Sequence, residues 1–189
     1  AANKETSYAN YKRGIPQSVS YHDGSSISGT VSDEGWVRSY TDELGNTTTY
    51  DYDLLGRLTG IVHPAGDTVA WANTTISFAQ QDASPFNLPS NLWKQSVTTG
   101  NYAKETYFDA LWRPLLVRER DIGAATTDRF TVHSFDADGR EVFTSYPLAS
   151  VPDYTAITLG THKAFDVLGR LYQTTVDSGP EHGPLTTTV

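Results

Sequence analysis

Two groups of acidic residues are the first places in this 189-residue sequence to look for chemistry. Asp136-Ala137-Asp138-Gly139 resembles the start of a calcium loop, but a full loop needs further oxygen ligands and a Glu at its twelfth position, where Pro147 stands. Asp51 and Asp53 could form a carboxylate pair, although acids beside a turn more often cap backbone groups. We therefore predict no metal site.

The remaining motifs also argue against an enzyme. The five histidines are not spaced as H-x-H or H-E-x-x-H, so a zinc site is not predicted. The sequence contains no nucleophile elbow, no P-loop and no dinucleotide-binding glycine pattern. We predict no catalytic residue and no cofactor.

Four tryptophans leave two interpretations open. They could form an aromatic platform for carbohydrate, or they could bury apolar area in a sheet that is poor in Leu and Ile. We favour burial and keep glycan binding as the alternative. The four are Trp36, Trp71, Trp93 and Trp112.

A repeated turn motif is the strongest pattern, and it explains the acids without chemistry. An Asp stands three residues before a Gly and is preceded by an aromatic residue or Thr; in the best copies an Arg follows the Gly. Asp favours the first position of a type I turn, and Gly the fourth, where a left-handed residue closes a hairpin. The predicted turn residues are Asp42, Gly45, Asp53, Gly56, Arg57, Asp109, Asp136, Gly139, Arg140, Asp166, Gly169 and Arg170.

One copy of the motif departs from the pattern. Trp112 occupies the glycine position after Asp109, so the sequence leaves open whether this turn is formed or lost.

The segments between the turns predict an all-β fold. They are rich in Thr, Val and Tyr, none has sustained apolar spacing of helical period, and turn signals near residues 23, 34, 44 and 55 recur about every 11 residues. We predict antiparallel hairpins in a meander, as part of a curved or spiralling sheet. A sandwich, with two long loops crossing between its sheets, is the competing arrangement.

The predicted organisation is a single β region over residues 1–189. It includes an irregular lead-in at 1–14, long loops at 79–92 and 147–160, and a loose tail at 177–189. A short strand is also predicted at Thr68–Trp71, before the strand that contains Thr74.

The sequence SYTDELGNTTTYDYDLLGRLTGIVHPAGD resembles two consecutive Rhs/YD repeats. The copies at Phe135 and Phe165 resemble the same repeat, and that at Phe108 does so weakly. The resemblance implies a segment of the β-repeat shell of a large bacterial Rhs-type or insecticidal-toxin-complex-like protein, which would enclose a toxin or effector. It also implies a secreted or cell-surface location. The family's self-cleaving core motif is not found in this sequence.

Composition limits the partners. A net charge of -8 argues against nucleic-acid binding, and no apolar run is long enough to span a membrane. The absence of cysteine favours a bacterial protein held by packing alone. We expect the partners to be neighbouring repeats of the same chain or a toxin or effector cargo, and in the alternative a glycan or a partner protein.

Overall fold

The computed structural model describes residues 4–66, 68, 70–178 and 184–188. Within these residues, fifteen antiparallel strands form a single sheet, and each strand lies beside its neighbour in sequence. The all-β meander is therefore confirmed, and the sandwich alternative is wrong. The strands are β1 Ser7–Ala9, β2 Ser18–Ser20, β3 Ser26–Val31, β4 Val37–Thr41, β5 Thr47–Tyr52, β6 Leu58–Val62, β7 Thr74–Gln81, β8 Leu92–Thr99, β9 Tyr102–Phe108, β10 Pro114–Asp121, β11 Arg129–Phe135, β12 Glu141–Ser145, β13 Gly160–Phe165, β14 Leu171–Val176 and β15 Leu185–Thr188.

The boundaries refine the predicted segments. The lead-in contains β1, which pairs with β2, and residues 185–188 of the predicted loose tail form β15, which pairs with β14. Residues 1–3, 179–183 and 189 of those two segments lie outside the described residues. The predicted strand at Thr68–Trp71 is wrong for residues 68, 70 and 71, since β7 begins only at Thr74.

Two compact units make up the chain. The first comprises the described residues up to Ile76 together with Thr98–Gly100, and the second comprises Ser77–Val97 and the described residues from Asn101 onward. The division of the chain into folding domains stays a prediction.

Strand alternation sorts the side chains of the first unit. In β3 and β5, Ser and Thr residues and Asp51 occupy the exposed positions, and Ile27, Tyr50 and Tyr52 are among the more buried residues. Hydroxyl groups meet across strands on the exposed face, as in the pair Thr30 Oγ1 and Ser39 Oγ at 2.7 Å. The sheet in this unit thus has one hydroxyl-rich face and one apolar face.

The second unit has the main core. Its buried residues are Leu88, Tyr107, Leu116, Phe130, Val132, Phe143 and Val151. Most come from β9–β12, whereas Leu88 and Val151 come from the two long connections.

The two long connections pack onto the sheet rather than crossing between sheets. Each contains a short 3₁₀ turn, at Pro85–Asn87 and at Tyr154–Ala156. Phe86 packs edge-on against Phe130 with ring centroids 5.2 Å apart, and the Asn87 amide donates to the Asp153 carboxylate at 3.0 Å. Apolar side chains of the connections thereby shield the core of the second unit from water.

Candidate functional site

The turn after β5 shows how the motif works. The backbone N–H of Asp53 donates to the Arg57 carbonyl at 2.9 Å, and the N–H of Gly56 donates to the Asp53 carbonyl at 3.0 Å. Oδ1 of Asp53 accepts from the N–H groups of Leu55 and Arg57, both at 2.9 Å, while Oδ2 accepts from Arg57 Nε at 2.7 Å. Both carboxylate oxygens are therefore occupied within the turn.

The same arrangement occurs at three further turns. The Arg Nε to Asp Oδ2 distance is 2.7 Å for Arg113 and Asp109, 2.7 Å for Arg140 and Asp136, and 2.8 Å for Arg170 and Asp166. In each of the three turns Oδ1 also accepts from two backbone N–H groups, two and four residues further on.

The turn at Asp42 is a variant in which an amide replaces the guanidinium. Asn46 Nδ2 donates to Asp42 Oδ2 at 2.9 Å, and the Asn46 backbone N–H donates to Oδ1 at 2.8 Å. The four glycines of the motif all have left-handed backbones: Gly45 φ 86°, Gly56 φ 79°, Gly139 φ 83° and Gly169 φ 79°. The structure thus places every predicted site residue in a hairpin turn.

Hydrogen bonding keeps these aspartates ionised. The backbone N–H and then the side chain of Arg170 hold the pKa of Asp166 below its usual range. For Asp42 the Asn46 side chain is the largest cause of a lowered pKa. Burial opposes the effect at Asp109, but the Arg113 hydrogen bonds outweigh it and its pKa is lowered as well. A carboxylate with a lowered pKa and no open oxygen is a poor proton donor or acceptor.

Trp112 does not interrupt the array. Its backbone N–H donates to the Asp109 carbonyl at 3.0 Å with a left-handed φ of 60°, so the turn is formed without glycine. The ring stacks on Trp93 with centroids 5.8 Å apart and also contacts Phe78 and Phe108. These ring contacts stabilise a conformation that costs an L-residue roughly 1–2 kcal/mol.

Two further turns have the same backbone geometry without the aspartate. Ser32 occupies the aspartate position before Gly35, and Tyr21 does so before Gly24; both glycines are left-handed. Ser32 Oγ also accepts from the Trp36 N–H at 3.2 Å, which partly replaces the missing carboxylate. The sequence predicted turns near residues 23 and 34 but did not assign them to the repeat. The spacing of Gly24 and Gly35 relative to the later motif glycines is the signal that could have identified them.

In the second unit the turns also contact one another. The guanidinium of Arg113 lies over the Phe135 ring at 4.8 Å, and that of Arg140 lies over Phe165 at 4.9 Å. Each aromatic residue directly precedes the aspartate of the following motif turn. We call this arrangement, in which the residue after the left-handed position packs on the next motif turn, the turn relay.

The turn relay also covers glycines. A Cβ added to Gly139 would lie 3.5 Å from Nη1 of Arg113, and one added to Gly169 would lie 3.3 Å from Nη1 of Arg140. The left-handed backbone favours glycine at both positions, and at Gly169 the arginine also approaches closely, whereas the distance at Gly139 is an ordinary contact.

In the first unit, Trp36 takes the place of arginine in the relay. Its ring lies 5.4 Å from that of Tyr52, and a Cβ added to Gly56 would lie only 3.0 Å from Trp36 Cζ2. The Tyr52 hydroxyl donates to the Val37 carbonyl at 3.0 Å, which fixes the ring under the indole. In this unit, too, the residue after the left-handed glycine packs on the next motif turn, but the contact is between two aromatic rings rather than between a guanidinium and a ring.

The tryptophans divide between packing and exposure. Trp36 and Trp93 are half-buried, whereas Trp112 and Trp71 are 50% and 61% exposed. Trp71 lies 6.2 Å from His63 between ring centroids, beside a concavity of about 570 Å³ that is also lined by Asp42 and Asn46.

The other acids and histidines do not converge on a metal. Asp138 bonds to Arg140 Nη2 at 2.7 Å, and His133 pairs with Glu141, which also binds Lys163. Within residues 4–66, 68, 70–178 and 184–188, no group of three or more His, Asp or Glu side chains could hold a metal ion. In the same part of the chain no helix is long and apolar enough to cross a membrane.

Sheet order, turn chemistry and relay together define an antiparallel β-repeat protein whose hairpins are closed by aspartate turns. The RHS Repeat family model matches residues 32–68, a segment that contains the aspartate turns at Asp42 and Asp53 and the related turn at Ser32. This match supports the resemblance to Rhs/YD repeats that the sequence motifs indicated. A comparison with curated proteins finds no match.

Proposed function

We propose that this chain is a structural shell segment of a large secreted or cell-surface bacterial Rhs/YD-repeat protein, and that the shell encloses a toxin or effector. One observation carries the proposal. The turn carboxylates bond to groups of their own turn, and the guanidinium groups of Arg113 and Arg140 also pack on the next turn. Groups used in this way build a wall, so we infer a non-enzymatic role.

The terminal strands support assembly with further repeats. β1 and β15 are the first and last strands in the sheet order, and their described side chains are exposed. Such strands can pair with another strand of the same kind. Neighbouring repeats are therefore the proposed structural partners, and the toxin or effector is the proposed cargo.

Protease protection tests the enclosing role. In the natural polypeptide that contains this chain, the cargo region should resist a nonspecific protease while the shell is folded. Replacement of Leu88, which is 2% exposed in the core, by Ala should accelerate cargo digestion. The matched control is Leu44→Ala at an 87% exposed turn position. Cargo digestion at the same fast rate with the intact shell and with the core variant would contradict enclosure.

Glycan binding remains the second candidate because of the exposed Trp71. An indole face beside His63, with the polar groups of Asp42 and Asn46 nearby, is a concave aromatic site of the kind that can stack on a sugar ring. The test is titration of the chain with a glycan panel, with Trp71→Ala as the variant and Trp93→Phe as the control. Submicromolar binding lost only in Trp71→Ala would favour this function, and its absence would leave the structural role.

A further inference from the structure

Two asparagines of this chain stand in the N-glycosylation pattern Asn–x–Ser/Thr. They are Asn46, with Thr48 two positions later, and Asn73, with Thr75 two positions later. In this pattern the asparagine Nδ2 is the atom that accepts a sugar, and the hydroxyl residue completes the recognised sequence. The surroundings of these two groups therefore determine which of the two positions a folded chain presents.

Asn46 is bound into its own turn. Its Nδ2 donates to Asp42 Oδ2 at 2.9 Å, and its backbone N–H donates to Asp42 Oδ1 at 2.8 Å. Thr48 lies inside β5 and is half-buried. A sugar could reach this Nδ2 only after the turn had opened.

Asn73 has the opposite arrangement. It is exposed and lies in the connection between β6 and β7, directly before Thr74 begins β7. Its Oδ1 accepts from the backbone N–H of His63 at 3.3 Å, so the protein holds the amide through its oxygen. Among the residues that the structure describes, neither Nδ2 of Asn73 nor the hydroxyl of the exposed Thr75 has a hydrogen-bond partner. The accepting nitrogen is thus uncommitted.

An exposed indole lies beside this amide. Trp71, two residues before Asn73, is 61% exposed, and its ring centroid lies 6.2 Å from that of His63. His63 therefore contacts Asn73 through its backbone and Trp71 through its ring. Both rings also line a concavity of about 570 Å³, which offers space for a sugar against the indole.

We propose that Asn73 is an N-glycosylation site of the folded chain and that the first sugar lies over the exposed face of Trp71. A separate glycosyltransferase supplies the sugar from a donor in which a nucleotide diphosphate is attached to the anomeric carbon. Nδ2 of Asn73 forms a bond to that carbon and loses one proton. The bond from the carbon to the phosphate oxygen breaks, and the nucleotide diphosphate leaves with the electron pair.

The attached sugar changes the surface around Trp71. The C–H face of a pyranose ring is apolar, so its contact removes indole surface from water while the sugar hydroxyls stay solvated. This inference does not depend on the proposed shell role, because it uses only the connection between β6 and β7.

Modification of the folded chain tests the site. The full 189-residue chain is incubated with UDP-glucose and an N-glucosyltransferase that recognises Asn–x–Ser/Thr, and peptide mass spectrometry measures the hexose on each asparagine. Asn73 should be modified about tenfold faster than Asn46 or more, because the hydrogen bond from Asn46 Nδ2 to a carboxylate must first break. Synthetic peptides of residues 43–50 and 70–77 provide the two rates without the fold, and these should be similar.

Matched variants separate the recognised pattern from its surroundings. Asn73→Gln and Thr75→Ala should each abolish modification at position 73, and Thr75→Ser should restore it. Asn46→Gln is the control and should leave the modification of Asn73 unchanged. Circular dichroism of each variant shows that the sheet is retained.

Nuclear magnetic resonance reports the contact with Trp71. The ring protons of the attached glucose should shift upfield through the indole ring current in the wild type. The shift should be lost in Trp71→Ala and kept in Trp71→Phe, which retains an aromatic face.

Four outcomes would overturn the proposal. Equal rates at Asn46 and Asn73 in the folded chain would mean that the fold does not select the site. Modification of the 70–77 peptide but not of the folded chain would mean that the amide is not presented. Unshifted glucose signals in the wild type would remove Trp71 from the site. Glycopeptide mapping of the natural polypeptide from its source must also find a sugar on Asn73, and an unmodified Asn73 there would refute the assignment.

Discussion

Replacement of Gly56 by alanine probes the turn relay most directly. Gly56 has a φ of 79°, and an added Cβ would lie 3.0 Å from Cζ2 and 3.1 Å from Nε1 of Trp36. Gly45 is the matched control, because its φ is 86° but no atom lies within 4 Å of the added Cβ. Both substitutions place an alanine in a left-handed backbone, but only Gly56→Ala also brings a Cβ against the Trp36 ring.

The magnitudes separate the two costs. A left-handed alanine destabilises by roughly 1–2 kcal/mol, which is the full effect expected for Gly45→Ala. Overpacking adds about 1–3 kcal/mol at a tight contact, and because Trp36 is half-buried and can shift, we expect about 1 kcal/mol of extra loss for Gly56→Ala. For a chain of this size, that difference lowers Tm by about 2–4 °C.

Local hydrogen exchange is the suitable assay, since the chain has two compact units. The amides of β4–β6 report the free energy of opening around both glycines. In a Trp36→Ala background, the excess loss caused by Gly56→Ala should disappear and leave the value seen for Gly45→Ala. Equal losses for the two glycines in the wild-type background would refute the conclusion that Trp36 packs on Gly56.

Four further predictions concern the second unit. Arg113→Ala should destabilise the protein by about 1–2 kcal/mol, because it removes the ring contact and the ion pair. Arg170→Ala removes only an exposed ion pair and should cost less than about 0.5 kcal/mol. Urea unfolding measures the free energy of unfolding of both variants. Trp112→Gly should destabilise by about 1 kcal/mol, because lost ring stacking outweighs the relieved left-handed strain, and near-UV circular dichroism should report the lost stacking. Leu88→Ala should cost about 2–5 kcal/mol and speed hydrogen exchange in β9–β11. The pKa of Asp166 is lowered on folding, chiefly by the hydrogen bond from the Arg170 backbone N–H. The ionised carboxylate therefore contributes its full stabilisation above the unfolded pKa of about 4 and loses it as pH falls through the folded value. Between pH 5 and pH 2, Tm should fall less in Asp166→Asn than in the wild type.

Each of these predictions has a contrary result. Equal losses for Arg113→Ala and Arg170→Ala would remove the energetic role of the ring contact. A more stable Trp112→Gly would show that stacking does not compensate for strain. A loss below about 0.5 kcal/mol for Leu88→Ala, as expected for an exposed leucine, would mean that the connection does not cover the core. Identical acid profiles for wild type and Asp166→Asn would remove the carboxylate from the turn's stability.

The strand order and the motif turns were predictable because they depend on local chemistry. Asp–x–x–Gly specifies a turn within five residues, and the regular spacing of turn signals predicts a meander. Arg57 and its equivalents pair with the aspartate of their own turn. The turns at Ser32 and Tyr21 show the limit of the motif, since a left-handed glycine closes those hairpins without an aspartate.

Longer-range packing was not predictable from the sequence. The relay contact between Arg113 and Phe135 depends on strand register, which no single motif encodes. Residues 79–92 have the composition of a surface loop, yet Leu88 within them is among the most buried residues. Trp112 breaks the motif but keeps the turn, and its ring stacks on Trp93 of β8, the strand next to β9.

The spacing of the relay limits how such a chain can change in length. In the second unit the turns at Asp109, Asp136 and Asp166 follow β9, β11 and β13, so relay partners always recur after two strands. Insertion of a single strand would move the next aspartate turn to the opposite end of the strands, away from the arginine of the preceding motif turn. Insertion of a complete hairpin would preserve every pairing. Viable length variants of this array are therefore expected to differ by whole hairpins, which makes the hairpin the unit of its evolutionary growth.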